Sequence, residues 1–232
     1  MVESWSHSRE GDFAKCKKMF WLKHDQKIPE PERELRPGQT EHANDRGTRI
    51  HDAAEAFVRG QGPFPTEMGE FKAELHHLQH LFSLGKVTLE SEWGMDREWN
   101  PAPWRGAWLR LKLDALVHAS KIEAVVIDYK SGKRFGNEIK HAEQTQLYAL
   151  ATFLCFPHLE RVHTELWYPD VKDLYGITYS RDQALRFKAS WNRRGNAVTD
   201  CTNFKANPNI FSCRYCGYGP WGTGHCKEGV QK

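Results

Sequence analysis

The 232-residue sequence has no apolar run approaching the roughly 20 residues needed to cross a bilayer. It also has no internal repeat, no low-complexity tract and no long linker, so a single compact domain is the economical reading. Little net charge is present: +3 permits a nucleic-acid partner without demanding one, because a local basic groove matters more than the total. The opening Met1-Val2-Glu3-Ser4-Trp5-Ser6 has the makeup of neither a signal peptide nor a transit peptide. The cytoplasm is the expected location, with no membrane partner.

What is there is the composition of a globular protein, 39% hydrophobic and 27% charged. Of nine tryptophans, Trp93, Trp99, Trp104 and Trp108 fall close together. Core and edge packing is the first reading of that group, and stacking on nucleic-acid bases the second. Six cysteines in a cytoplasmic chain read as metal ligands or buried small side chains before they read as disulfides.

Ser6 is a candidate N-cap for a helix over about Ser8 to His24, carrying Phe13, Cys16 and Phe20 on one stripe. The proline-rich, charged stretch Pro29 to Asn44 reads as a surface loop. Helices follow over Asp45 to Arg59 and Glu67 to Ser83, then strands over Val87 to Asp96, Trp108 to Val117 and Glu123 to Lys130. A helix over Glu138 to Phe153, strands over Val162 to Tyr168 and Gly176 to Tyr179, and a helix over Arg181 to Arg193 complete the order, with an irregular tail from Cys201. This succession predicts an α/β fold, a central mixed sheet flanked by helices. Within one domain, residues 1–85 form a helical part, 86–195 the sheet core and 196–232 a cysteine-rich tail packing on the first helix.

The most informative stretch is Val125-Val126-Ile127-Asp128-Tyr129-Lys130-Ser131-Gly132-Lys133. Side chains alternate along a strand, so Asp128 and Lys130 project to one side and Tyr129 to the other. A carboxylate can hold a hard cation such as Mg²⁺, and an adjacent ammonium can orient water or offset charge developing on a phosphate. A second acid, Asp114, closes the strand-like run Trp108-Leu109-Arg110-Leu111-Lys112-Leu113. His51 follows Gly47-Thr48-Arg49-Ile50 near a helix start, at the margin of the apolar stripe. Gln144 and Tyr148, four apart, share a face of the helix after the Asp-x-Lys strand.

In order and spacing these residues resemble the RecB-like branch of the PD-(D/E)XK nucleases, especially compact phage exonucleases and CRISPR-associated iron–sulfur nucleases. The likeness runs from Ser4 to Cys226. One departure is that Leu111-Lys112-Leu113, without glycine, precedes the first acid. The resemblance implies a restriction-endonuclease-like core and a metal-dependent DNA exonuclease working in recombination, replication or repair. His51, Asp114, Asp128 and the Tyr129 carbonyl would hold Mg²⁺ or Mn²⁺. Lys130 would position water, while Gln144 and Tyr148 would order the site and touch DNA. Histidine suits Mn²⁺ better than Mg²⁺, so Mn²⁺ is expected to support equal or higher activity. The implied partner is DNA with a free end. No helicase motif is present, so a helicase, recombinase or single-strand-binding protein would be another chain. A phage-encoded chain would act in the host cytoplasm. Two other readings share the pattern: a nucleic-acid-binding module with an inactive core, and a restriction-type endonuclease.

Cys213-Arg214-Tyr215-Cys216 followed by Cys226 is a metal-binding pattern, completed by Cys16 or by His225. The resemblance favours Cys16, with one thiolate from an early helix and three from the tail. Such a set suits a [4Fe–4S] cluster or, alternatively, structural Zn²⁺. Cys155 and Cys201 have no partner motif and are expected to be unliganded.

Overall fold

The computed structural model describes residues 2–32, 34–35, 38–132 and 134–230. Arg33, Arg36 and Pro37, within the expected Pro29 to Asn44 loop, and Lys133, within the Asp-x-Lys stretch, lie outside the described residues. Ser6 caps α1 (His7–Lys15), its hydroxyl accepting the Arg9 N–H at 3.3 Å. The helix expected to run on to His24 instead breaks at Cys16, whose φ of −163° and ψ of 114° are extended. α2 (Lys17–Phe20) and a π-helical turn, Trp21–Asp25, continue beyond the break. α3 (Ala43–Val58) buries Ile50, Ala54, Phe57 and Val58 along one stripe, the 3.6-residue pattern visible in the sequence. The third expected helix divides into a 3₁₀ segment, Thr66–Phe71, non-helical at Met68, and α4 (Lys72–Ser83).

Six strands form one sheet in the order β2-β1-β3-β4-β5-β6. They are β1 (Val87–Met95), β2 (Pro101–Ala102), β3 (Leu109–His118), β4 (Glu123–Tyr129), β5 (Arg161–Tyr168) and β6 (Asp173–Ser180). Only β4 and β5 run parallel, linked by the crossover helix α5 (Glu138–Cys155), so the sheet is mixed as expected. The single helix expected over Arg181 to Arg193 is two, α6 (Arg181–Arg186) and α7 (Lys188–Thr199), and the tail contains a helical turn, α8 (Ile210–Cys213). Among the described residues no helix is long and apolar enough to cross a membrane.

Two hydrophobic layers sandwich the sheet. Phe13, Phe20, Trp191, Val198 and the buried face of α5 pack on one side, and the apolar stripes of α3 and α4 on the other. Trp99 and Trp108 belong to the first layer, edge-on to each other and to Trp5, so for these two the packing reading holds. Trp93 is half-buried against Phe156.

At one level of the sheet the strands change faces. Leu109, Leu111 and Leu113 join the layer beneath α5, yet Ala115 and Val117, of the same parity, join the layer beneath α3. Met95 and Leu89 on β1 divide in the same way. A regular strand keeps i and i+2 on one face, so both strands must twist locally. Glu90, at a left-handed φ of 49°, and Asp114 sit at the switch, and ladder pairing skips from Leu89↔Ala115 to Ser91↔Leu113. Asp114 therefore lies in the middle of β3 and does not close the strand as expected; the break in hydrophobic alternation marks a change of face.

Candidate active site

The twist brings three ligand-type side chains together. The His51 Nδ1 lies 2.8 Å from Asp114 Oδ1, and ligand atoms of His51, Glu90 and Asp114 all fall within 4.8 Å of one another. The second Asp114 oxygen accepts the Tyr129 N–H at 2.5 Å, replacing a ladder bond and locking β3 to the end of β4. Glu90 is ion-paired to Lys112. Gly47, one helical turn before His51, lets α3 approach this edge: a Cβ there would meet Ser131 Oγ at 2.7 Å. That close approach is the physical reason for glycine in the Gly-Thr-x-x-His segment.

Asp128 stands beside this trio at the carboxyl end of β4, where a parallel strand pair opens a crevice. The Lys130 ammonium lies 2.5 Å from Asp128 Oδ2, so the two share a side as the alternation requires. Tyr129 points the other way, buried against Ile127 and Trp167. Its carbonyl was an expected ligand; the group seen engaging an acid is its N–H. From α5, the Tyr148 hydroxyl donates to Asp128 Oδ1 at 2.7 Å and accepts from Gln144 Nε2 at 2.6 Å. Gln144 is itself 3.4 Å from the same Asp128 oxygen. The i,i+4 pair thus clamps the carboxylate from the helix side.

Burial raises the Asp114 pKa above the usual carboxylate range, the nearby Asp128 charge adds to the rise, and His51 and the Tyr129 N–H oppose it. His51 would be lowered by burial, but its hydrogen bond to Asp114 and the surrounding carboxylates outweigh that and raise it. Burial and Asp128 hold the Tyr148 phenol well above its ordinary value, so it stays a donor. Three carboxylates and an imidazole on one polar floor form a donor set that suits a hard divalent cation. Glu90 was missed by sequence reasoning, and its only sequence signal is its place on the polar face of a strand.

A cleft of about 510 Å³ opens beside Lys130, Gln144 and Tyr148, bounded opposite by Ser6 to Arg9 at the start of α1. Arg9, Arg110, Lys112, Lys130 and Lys140 line it, and no carboxylate is among its lining residues. Trp104 is also at its wall, with the Arg110 guanidinium 5.3 Å from the ring centre. Of the expected tryptophan group it is the member that lines the cleft.

In a separate place, Cys16, Cys213, Cys216 and Cys226 line a single small cavity with Met19, Pro208 and Tyr218. The extended backbone at Cys16 turns its sulfur towards the tail, where the Asn207 N–H approaches it at 3.4 Å. His225 is exposed and is not part of the lining. Cys155 and Cys201 lie elsewhere, packed against the larger core.

Among solved structures, a Eubacterium rectale protein carrying a provisional exonuclease name is similar at 12% identity, covering 86% of this chain and 82% of its own, with a TM-score of 0.48. The alkaline exonuclease of Laribacter hongkongensis is similar at 14% identity over 86% of this chain and 87% of its own, with a TM-score of 0.34. No curated protein matches the chain. A family model does, over residues 4–221, nearly the whole length and every residue of the histidine–carboxylate site described above. The chain belongs to the PD-(D/E)XK nuclease superfamily.

Proposed function

We propose that the protein is a divalent-metal-dependent DNA exonuclease of RecB-like type. The observation that carries this reading is the gathering of His51, Glu90, Asp114, Asp128 and Lys130 at the edge of a cleft whose charged lining residues are all basic. His51, Glu90, Asp114 and Asp128 would hold Mg²⁺ or Mn²⁺, with the Tyr129 carbonyl as a further ligand. A cation bound there supplies an acidified water and a positive charge against the scissile phosphate. Lys130 would position a water and offset charge on the scissile phosphate, acting from a carboxylate-anchored position. Tyr148 and Gln144 fix the Asp128 rotamer through Oδ1, leaving Oδ2 to Lys130. The cationic cleft draws the phosphate backbone past these groups, and Trp104 offers a stacking surface.

The four cysteines are proposed to hold a [4Fe–4S] cluster. Their lining of one small cavity supports a shared four-thiolate site. The deciding assay is digestion of end-labelled linear and covalently closed circular DNA with Mg²⁺ and with Mn²⁺. Linear DNA is expected to disappear while circles persist in Mg²⁺, and Asp128→Asn is expected to abolish digestion with either metal. Rapid cutting of circles would select an endonuclease, and inertness of linear DNA would leave only a binding module. A broad absorption near 400 nm after anaerobic purification is expected for the cluster, and stoichiometric zinc in a colourless protein would replace it.

A further inference from the structure

The cleft has a second pole at the start of α1. His7, Ser8 and Arg9 form the first turn of the nine-residue α1, and all three line the cleft. The Ser6 hydroxyl satisfies the Arg9 N–H, but the His7 and Ser8 N–H groups make no hydrogen bond among the described residues. Helix starts carry partial positive charge and free donors, a ready anion site. The second observation is the His7 side chain. Only 7% exposed, it lines the cleft without any hydrogen-bond partner among the described residues. Its other face rests on Trp191, ring centres 5.8 Å apart, which fixes the imidazole in place. An imidazole held in the cleft wall without a protein partner offers its ring nitrogens to a ligand.

The surroundings specify the sign of that ligand. Burial and the neighbouring Lys130, Lys140 and Arg194 outweigh the opposing Asp128 charge and push His7 down to about 3, so it is neutral and can donate without adding charge. Arg9 is held at the rim by Ser4, its guanidinium donating to the Ser4 carbonyl at 3.1 Å and hydroxyl at 2.9 Å. Lys140 reaches the same cleft from α5. His51, Glu90 and Asp114 are absent from this lining, while the Lys130–Asp128 pair lies close enough to act on His7 electrostatically.

We propose that the amino end of α1, with His7 and Lys140, seats a phosphate of the DNA strand other than the one being cut. This rests on the nuclease reading and deepens it, because a second phosphate held at fixed distance sets the register of cleavage. A terminal monoester and an internal diester share the chemistry, and the test separates them. Short single-stranded oligodeoxynucleotides bearing a 5′-phosphate, a 3′-phosphate or neither are titrated into the full-length protein, His7→Leu and Lys140→Gln, in EDTA. A terminal seat gives about tenfold tighter binding of one phosphorylated form. Both variants then bring that preference to about twofold or less. The favoured end also gives the direction of digestion. An internal seat gives equal binding of all three oligonucleotides, weakened equally by both variants. Binding of every oligonucleotide unchanged in both variants overturns the proposal. Lys140 is exposed, so its variant decides the matter if His7→Leu fails to fold. Because metal is absent from the titration, failure of the nuclease reading would register separately, as intact binding without hydrolysis in Mg²⁺ or Mn²⁺.

Discussion

Glu90→Gly separates the site's chemistry from its strain. Glu90 holds a left-handed φ of 49°, which costs a residue with a Cβ roughly 1–2 kcal/mol. Glycine removes that cost but loses about 0.5–1 kcal/mol through its larger freedom when unfolded. The ion pair to Lys112 also disappears; the lysine side chain is 59% exposed, so water screens the pair to about 0–1 kcal/mol. Removing a carboxylate packed against Asp114 relieves repulsion of similar size. The sum is a gain of about 1 kcal/mol or less, a rise in Tm of about 2 °C for a chain of this length. Hydrolysis should fall at least about 100-fold at limiting metal, since a direct ligand is lost where outer partners alone cost 10–100-fold. Glu90→Gln is the control, losing the charge but keeping the strained backbone. Calorimetry and a linear-DNA digestion assay read both effects. Full activity in both variants would remove Glu90 from the site, and a Glu90→Gly that melts below Glu90→Gln would refute the strain.

Tyr148→Phe deletes the 2.7 Å bond to Asp128 and should lower turnover about 10- to 100-fold with little change in Tm; an unimpaired enzyme would show that the clamp is idle. Lys130→Ala should abolish hydrolysis yet retain Mn²⁺ binding by isothermal titration, and loss of both would make Lys130 a structural residue. Cys216→Ser should lower the Tm more than Cys155→Ser, because Cys216 lines the four-thiol cavity and Cys155 does not; equal effects would argue against a ligand role. Acid stability follows from His7 and His141, depressed from an ordinary 6.5 to about 3 and about 4, chiefly by burial. Depressed histidines contribute stability that is full above pH 6.5 and lost as pH falls through their folded values. A Tm that falls from pH 6.5 towards 4 in the parent, and falls less in His7→Leu, is expected; parallel profiles would contradict it.

The site was legible where it depends on short-range periodicity. Asp128 and Lys130 meet because i and i+2 share a strand face, and Gln144 and Tyr148 because i and i+4 share a helix face. Glu90 was illegible for the opposite reason. Its meeting with Asp114 depends on the register of β1 against β3 and on a left-handed backbone, neither of which a glutamate between Leu89 and Ser91 announces. The break at Cys16 carries no glycine or proline signal, because its cause is tertiary contact with a tail about 190 residues away, as in the Asn207 to Cys16 bond. Expected boundaries held where apolar stripes end sharply, as at Val58, and failed where a helix kinks without a breaker, as at Phe187.

The tail's grip on the amino-terminal helices has a consequence during synthesis. Met19 and Leu22 are buried against Tyr218 and Cys226, and the Tyr218 hydroxyl reaches the Ile28 carbonyl at 2.9 Å. α1, one wall of the cleft, is joined directly to this clasp through Cys16. Every acid of the candidate site has left the ribosome long before Cys226 does. A nascent chain can therefore assemble its sheet while one side of its binding groove still lacks its anchor. Because Tyr218 and Cys226 follow every site acid in chain order, that wall gains its fastening only after the sheet has been made.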